Sequence, residues 1–306
     1  MTLNFNNTTK AYTLVFISVI AMANVYVFSK SALNIVHLSQ FGVYWFGMAI
    51  IYNLLLNRKN NNLKKFKTIQ KSYIKIIVII GLLELIGTTL FFIAIKTMSN
   101  PALVSFFGNI TPVFVAILGF VILKERFNSL EFLGIFLTIS GAFIIGYQPG
   151  AEVPEDFYKA LILVLVSGIA YSFSIVISKK HIDKISPSIL TINRTVFLFI
   201  GSLIFLIFSQ QSFVISLEAY LYIALGSLLG PFLAAFAGYA ALKYIEASRS
   251  SVLGSSKAMF VLISSYLYFH KIPTEIQMIG GGITIIGVLL ISLGKIYSKK
   301  KAKVKS

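Results

Sequence analysis

The sequence predicts an all-α polytopic membrane protein, with ten transmembrane helices arranged as two inverted five-helix repeats. Three observations lead there. The 306 residues are 57% hydrophobic and only 12% charged, at a mean hydropathy of +0.85, whereas a soluble domain carries roughly 25% charged residues. Ten apolar runs each approach the ~20 residues that span about 30 Å of hydrocarbon. The second half of the chain also repeats the pattern of the first. This composition excludes an ordinary soluble domain, and it excludes a disordered chain, which needs low hydrophobicity.

The runs are bounded by charges, Pro, Gly or Asn and lie at 12–30, 38–57, 73–95, 101–123, 131–148, 158–178, 187–208, 218–242, 248–269 and 276–294. The first imitates a signal peptide, with Lys10, an apolar stretch and Ala21-Met22-Ala23. Its apolar character continues to Phe28 and it has a counterpart later in the chain, so it is predicted to remain as a helix. The fourth run holds no charge along its length. The predicted units are a cytoplasmic N-terminus (1–11), a first repeat (12–147), an external loop with Glu152, Glu155 and Asp156 (148–159), a second repeat (160–294) and a basic cytoplasmic tail (295–306).

The formal net charge of +17 would suggest nucleic acid in a soluble protein. Ten crossings instead sort the charge by side. Of the 27 Lys and Arg residues, 21 fall on the side of both termini and only Lys30, Lys96, Lys159 and Lys271 on the other. The positive-inside rule places both termini in the cytoplasm, and the patches are explained by orientation and by contact with anionic lipid heads. A bacterial inner membrane is the expected location, with no nucleic-acid partner. The chain has no Cys, which removes disulfides and thiolate chemistry.

Residues 108–146 align without a gap on 254–292. Identities include Gly108/Gly254, Phe114/Phe260, Gly134/Gly280, Thr138/Thr284, Gly141/Gly287 and Ile145/Ile291. Upstream, 94–99 (AIKTMS) lies over 241–246 (ALKYIE), and Ser29-Lys30 over Ser178-Lys179. Each half has an odd number of runs, so the second enters the membrane from the opposite side. Inverted repeats around a midplane site are the architecture of secondary transporters that work by alternating access.

Ala94-Ile95-Lys96, then Asn109-Ile110-Thr111-Pro112-Val113-Phe114, then Lys124-Glu125-Arg126 resemble the signature of EamA-type carriers of the drug/metabolite transporter superfamily. The resemblance covers nearly the whole chain. It implies ten helices in two inverted repeats, a central cavity, and export or exchange of small metabolites. In the second half the motif's Pro and Glu are replaced by Ala258 and Lys271. The Arg that the family often carries early in helices 2 and 7 is kept as Arg194 but becomes Trp45 in helix 2.

Glu84, Arg194 and Lys257 are the charges well inside the runs. A charge at a helix centre costs about 2.5–3.5 kcal/mol even on insertion scales, so each needs a partner, water or ligand. Lys257 lies near the middle of its run, about 15 Å from either end, among Ser250, Gly254, Ser255 and Ser264. That pattern fits either a wet cavity wall or a lysine neutralised by Glu84 or by carbonyls near a helix break. Arg194 fits substrate contact or snorkelling to the headgroups. Glu84 is the candidate for proton coupling, or else a structural ion partner.

Asn24, Asn109, Thr111, Ser255, Tyr171 and Tyr239 complete the predicted substrate-binding set, and Tyr26, like Tyr171 and Tyr239, fits either stacking on or donating to a ligand, or packing in the bundle. Thr111 is the repeat counterpart of Lys257. Pro112 is expected to break the helical bond to Gly108, and Pro231 is a second expected break. No metal or cofactor is predicted, because the three His residues lie at run ends and no H-E-x-x-H or G-x-S-x-G occurs. The same absence, with a single acid in the runs, argues against an enzyme. The predicted function is secondary transport of an amino acid or another carboxylate- or phosphate-bearing solute by efflux or exchange. The runner-up is a flippase for a lipid or lipid-linked headgroup. Monomer and homodimer both stay open.

Overall fold

The computed structural model describes residues 7–59, 70–97, 104, 108, 110–146, 157–257, 259–261, 263–264 and 274–304. These residues are helical throughout apart from short connections. In chain order the helices are α1 (Asn7–Ile35), α2 (Leu38–Lys59), α3 (Lys71–Thr97), α4 (Thr111–Leu123), α5 (Ser129–Gly146), α6 (Phe157–His181), α7 (Pro187–Phe208), α8 (Leu217–Ala241), α9 (Ala247–Gly254) and α10 (Glu275–Val304). Six of them, α1, α2, α3, α6, α7 and α8, are long and apolar enough to cross a membrane. Thr111–Leu123, Ser129–Ile144 and Met278–Ile291 are shorter apolar stretches. Phe120 (64% exposed), Phe136 (62%) and Ile207 (63%) face outward, as suits a bundle whose surroundings are hydrocarbon.

Three expected details change. Pro112 does not kink a long fourth helix; it sits in the first turn of α4, where its missing N–H has no intrahelical role. The run predicted as one helix over 248–269 is interrupted after Gly254 by a turn at Ser255 and Ser256, so Lys257 follows a break. Pro231 is absorbed by a π-helical segment, Leu228–Ala234, within α8. Residues 101–103, 105–107 and 109 of the predicted fourth run, and 258, 262 and 265–269 of the ninth, lie outside the described residues.

The two halves pack across a pseudo-two-fold axis. Helices α5 and α10 form the most extensive pairing, and α2 on α7 and α4 on α9 are likewise pairs of repeat counterparts. The remaining large contacts come as mates: α3 on α6 with α1 on α8, and α3 on α7 with α8 on α2.

Side-chain hydrogen bonds repeat the symmetry. Ser18 Oγ donates to the Ala234 carbonyl at 2.8 Å, and its counterpart Ser167 donates to Gly87 O at 2.7 Å. Lys30 Nζ donates to Ile95 O at 3.2 Å, while Lys179 donates to Leu242 O at 2.6 Å. Both lysines thus meet exposed carbonyls near a helix C-terminus, where a cation is favoured.

Glycines allow α5 and α10 to approach to backbone contact. A Cβ on Gly134 would lie 2.7 Å from Gly287 O, and one on Gly141 would lie 2.6 Å from Gly280 O. Those two contacts are exchanged by the repeat alignment, so the seam runs antiparallel and is self-complementary. Thr138 and Thr284, also mates, each donate a hydroxyl to the carbonyl four residues back, at 2.8 and 2.9 Å.

At the basic end of the bundle the symmetry is broken by an ionic cluster. Asn128 and Glu131 form a capping box on α5, with bonds of 2.9 and 2.8 Å. Buried Glu131 also pairs with Arg249 at 2.7 Å, and Arg249 reaches Glu246 at 2.8 Å and lies over the Phe127 ring. Glu125 accepts the first N–H groups of α9 from Ala247 and Ser248, at 2.7 and 3.0 Å, and so tethers the first repeat to the second. The repeat counterparts of Glu125 and Glu131 are Lys271 and Gln277.

The seam makes a paired prediction. Gly141→Val forces a side chain against backbone that cannot yield, and overpacking of this kind costs about 1–3 kcal/mol. Gly282→Ala meets nothing within 4 Å and gains up to about 1 kcal/mol of helix propensity. Unfolding of the two variants in detergent micelles is expected to shift the thermal midpoint in opposite directions.

Candidate functional site: a central cavity with one unpaired cation

A cavity of about 270 Å³ opens between the halves. Its wall straddles the pseudo-axis, for both members of several counterpart pairs line it: Ser18 and Ser167, Met22 and Tyr171, Tyr26 and Ile175, Gly108 and Gly254, Thr111 and Lys257. The cavity therefore lies between the two repeats.

One wall carries a closed polar network. Arg194 Nε lies 2.9 Å from Glu84 Oε2, although the N–H is not aligned on that oxygen, so the contact is ionic rather than a directed hydrogen bond. Glu84 Oε1 accepts from Ser174 Oγ at 2.6 Å and from Tyr239 OH at 2.9 Å. Thr88 Oγ1 accepts from Tyr171 OH at 2.9 Å and from Arg194 Nη2 at 3.2 Å. Helix geometry explains the assembly: Glu84 and Thr88 are four residues apart on α3, and Tyr171 and Ser174 three apart on α6, so each pair shares a face.

The repeat counterparts of this network are apolar, and of those named next only Met22 lines the cavity. Arg194 has Trp45 as its counterpart, Glu84 has Pro231 and Tyr171 has Met22. Buried Trp45 packs against Gly226 and Gly230 of α8, beside Pro231, much as Arg194 reaches α3.

The structure brings most of the predicted residues together. Lys257, Arg194, Thr111, Tyr171, Tyr239 and Glu84 all line the cavity. Arg194 does not snorkel; it turns inward and takes Glu84 as its partner, so the alternative pairing of Glu84 with Lys257 is not formed. The hydroxyls of Tyr171 and Tyr239 are committed within the network. Asn24 holds Ile20 O at 3.0 Å and meets Ser264 at 3.5 Å, and neither Asn24 nor Ser255 belongs to the described cavity wall. Asn109 lies outside the described residues. Lys257 forms no ion pair with any described residue. Sequence reading missed Thr88 and Ser174, whose spacing to Glu84 and Tyr171 was the available signal.

The comparisons agree with this geometry. The model of the EamA-like transporter family matches residues 9–147 and 158–293, one match for each repeat, and the chain belongs to that family. The chain is 25% identical over 202 residues to the uncharacterized transporter YdfC of Bacillus subtilis (strain 168), covering 63% of this chain and 62% of that protein. It is 28% identical over 189 residues to an uncharacterized transporter of Archaeoglobus fulgidus, covering 60% of this chain and 64% of the other. The matches thus span about three fifths of these relatives' length. A solved crystal structure superposes at a TM-score of 0.76 with 14% identity, over 92% of this chain and 96% of that one, a likeness of fold alone. Family and helices together define a multi-pass membrane protein.

The ion pair can be tested by a double-mutant cycle. Glu84→Met leaves Arg194 as an uncompensated buried charge and is expected to cost about 3–5 kcal/mol. Glu84→Met with Arg194→Met is expected to cost less than the single change. Denaturant unfolding in micelles measures both, together with Arg194→Met alone, and a double loss equal to the sum of the two single losses would mean the two groups are uncoupled.

Proposed function

We propose that the chain is a secondary transporter that moves a small carboxylate- or phosphate-bearing anion across the cytoplasmic membrane, in efflux or exchange. The observation that carries this reading is the charge balance of the cavity. Glu84 and Arg194 neutralise each other, and Lys257 adds one positive charge that no described residue offsets. An unpaired cation within a membrane bundle is costly, and an anionic substrate would offset the cost. A zwitterionic amino acid is a poorer fit than the sequence suggested, because both Glu84 oxygens are already engaged.

Transport follows from the two-fold relation of the halves. A site on the axis is exposed to one side when the halves adopt one pair of conformations, and to the other side when they exchange them. All ten helices then cross the bilayer, with the basic end cytoplasmic. Glu84 is the coupling residue in this reading: a proton taken up there removes the charge that holds Arg194 and loosens α3 from α7.

The test is counterflow in proteoliposomes with lactate, malate, glycerol phosphate and glutamate, with choline as a cationic control, with and without a pH gradient. Saturable uptake of one of the anions is expected. It should fall at least ten-fold in Lys257→Ala, and its response to the gradient should vanish in Glu84→Gln. Normal anion uptake in a folded Lys257→Ala protein would remove this reading. Movement of labelled phosphatidylglycerol in place of the soluble anions would replace it with a flippase.

A further inference from the structure

We infer that Tyr26 is a specificity-determining residue, whose hydroxyl donates to the same oxyanion that Lys257 attracts. This rests on the reading of the cavity as an anion site and adds the residue that recognises the oxyanion by direction as well as charge.

Tyr26 is 2% exposed, its ring is fixed edge-on against Phe91 at 5.6 Å, and it packs in the large aromatic cluster with Phe28, Phe41 and Phe92. Its hydroxyl is itself buried and has no hydrogen-bond partner among the described residues, and Tyr26 is one of the residues that line the cavity. The other two cavity tyrosines have spent theirs, Tyr171 on Thr88 and Tyr239 on Glu84. A buried hydroxyl is ordinarily satisfied, and one held rigidly at the wall of a cavity is poised to be satisfied by what enters. Gly108, another residue of the cavity wall, stands beside it: an added Cβ there would meet the Tyr26 oxygen at 3.8 Å, an ordinary van der Waals contact.

Symmetry strengthens the assignment. Lys257 sits beyond the turn after α9 and Tyr26 on α1, and α1 packs against α9. The mirrored place, between α4 and α6, holds Thr111 and Ile175. Of these two mirror-related stretches of wall, one carries both a cation and an uncommitted donor. A Lys and a Tyr on one cavity wall suit a carboxylate or phosphoryl group, with the ammonium supplying attraction and the phenol a directed bond to one oxygen.

The experiment is counterflow with the same four anions in Tyr26→Phe, alongside its thermal midpoint in micelles. The ring is retained, so the expected result is a half-saturation concentration raised about ten-fold, the worth of one hydrogen bond to an ionised group. The maximal rate should stay within about two-fold, with a midpoint unchanged or higher. An unchanged half-saturation concentration would overturn the role of Tyr26 while leaving the cavity reading intact, provided Lys257→Ala still abolishes uptake. Normal uptake in Lys257→Ala, or no counterflow of any of the four by the unmodified protein, would overturn both.

Discussion

Hydrocarbon surroundings offer no hydrogen bonds, so each polar group within this bundle has to be answered by another part of the chain. That constraint accounts for most of the polar architecture. Glu84 is met by Arg194, Ser174 and Tyr239; Glu131 is met by Arg249 and by its own helix cap. Lys30 and Lys179 reach the carbonyls near the ends of α3 and α8. Against such pairing, the Lys257 ammonium and the Tyr26 hydroxyl stand at or beside the cavity wall without a described partner, and in the proposed reading they are binding capacity for a ligand.

The two-fold relation between the halves organises where pairing occurs and where it fails. Contacts close to the axis are met twice, as with Ser18 and Ser167 or Thr138 and Thr284. Away from those contacts the halves have diverged in character: Glu84 and Arg194 have Pro231 and Trp45 as their repeat counterparts, so the charged network of one half has no equivalent in the other. The ionic cluster of Glu125, Glu131 and Arg249 is a second departure, confined to the basic end.

Much of this was legible in the sequence because membrane helices advertise themselves by length and hydropathy, and because the gap-free repeat from 108 to 146 fixes which residues are mates. The interruption after Gly254 was not legible, since Ser255 and Ser256 are tolerated in a membrane helix and only geometry shows that they turn. The direction of Arg194 was equally hidden: its place near one end of α7 suits snorkelling, and the choice of Glu84 depends on how α3 packs against α7. Thr88 was missed although it lies four residues from Glu84 on α3, a spacing that puts the two on one face. That Glu125 binds the start of α9 is a contact over more than a hundred residues, beyond any local pattern.

The glycine seam between α5 and α10 bears on how such a chain could have arisen. Gly134 touches the backbone at Gly287 and Gly141 that at Gly280, so each half presents to the other the surface it would present to a second copy of itself. A single half of this design, pairing with its own duplicate in the opposite orientation, would have met the same contacts before the two were joined. Fusion then frees the positions that face the cavity, because Lys257 no longer implies a second lysine at Thr111, nor Arg194 a second arginine at Trp45. The seam cannot drift in this way, since a larger side chain on either helix collides with the other. Shared ancestry should therefore remain readable longest along α5 and α10, and fade first where the two halves have taken on different chemical duties.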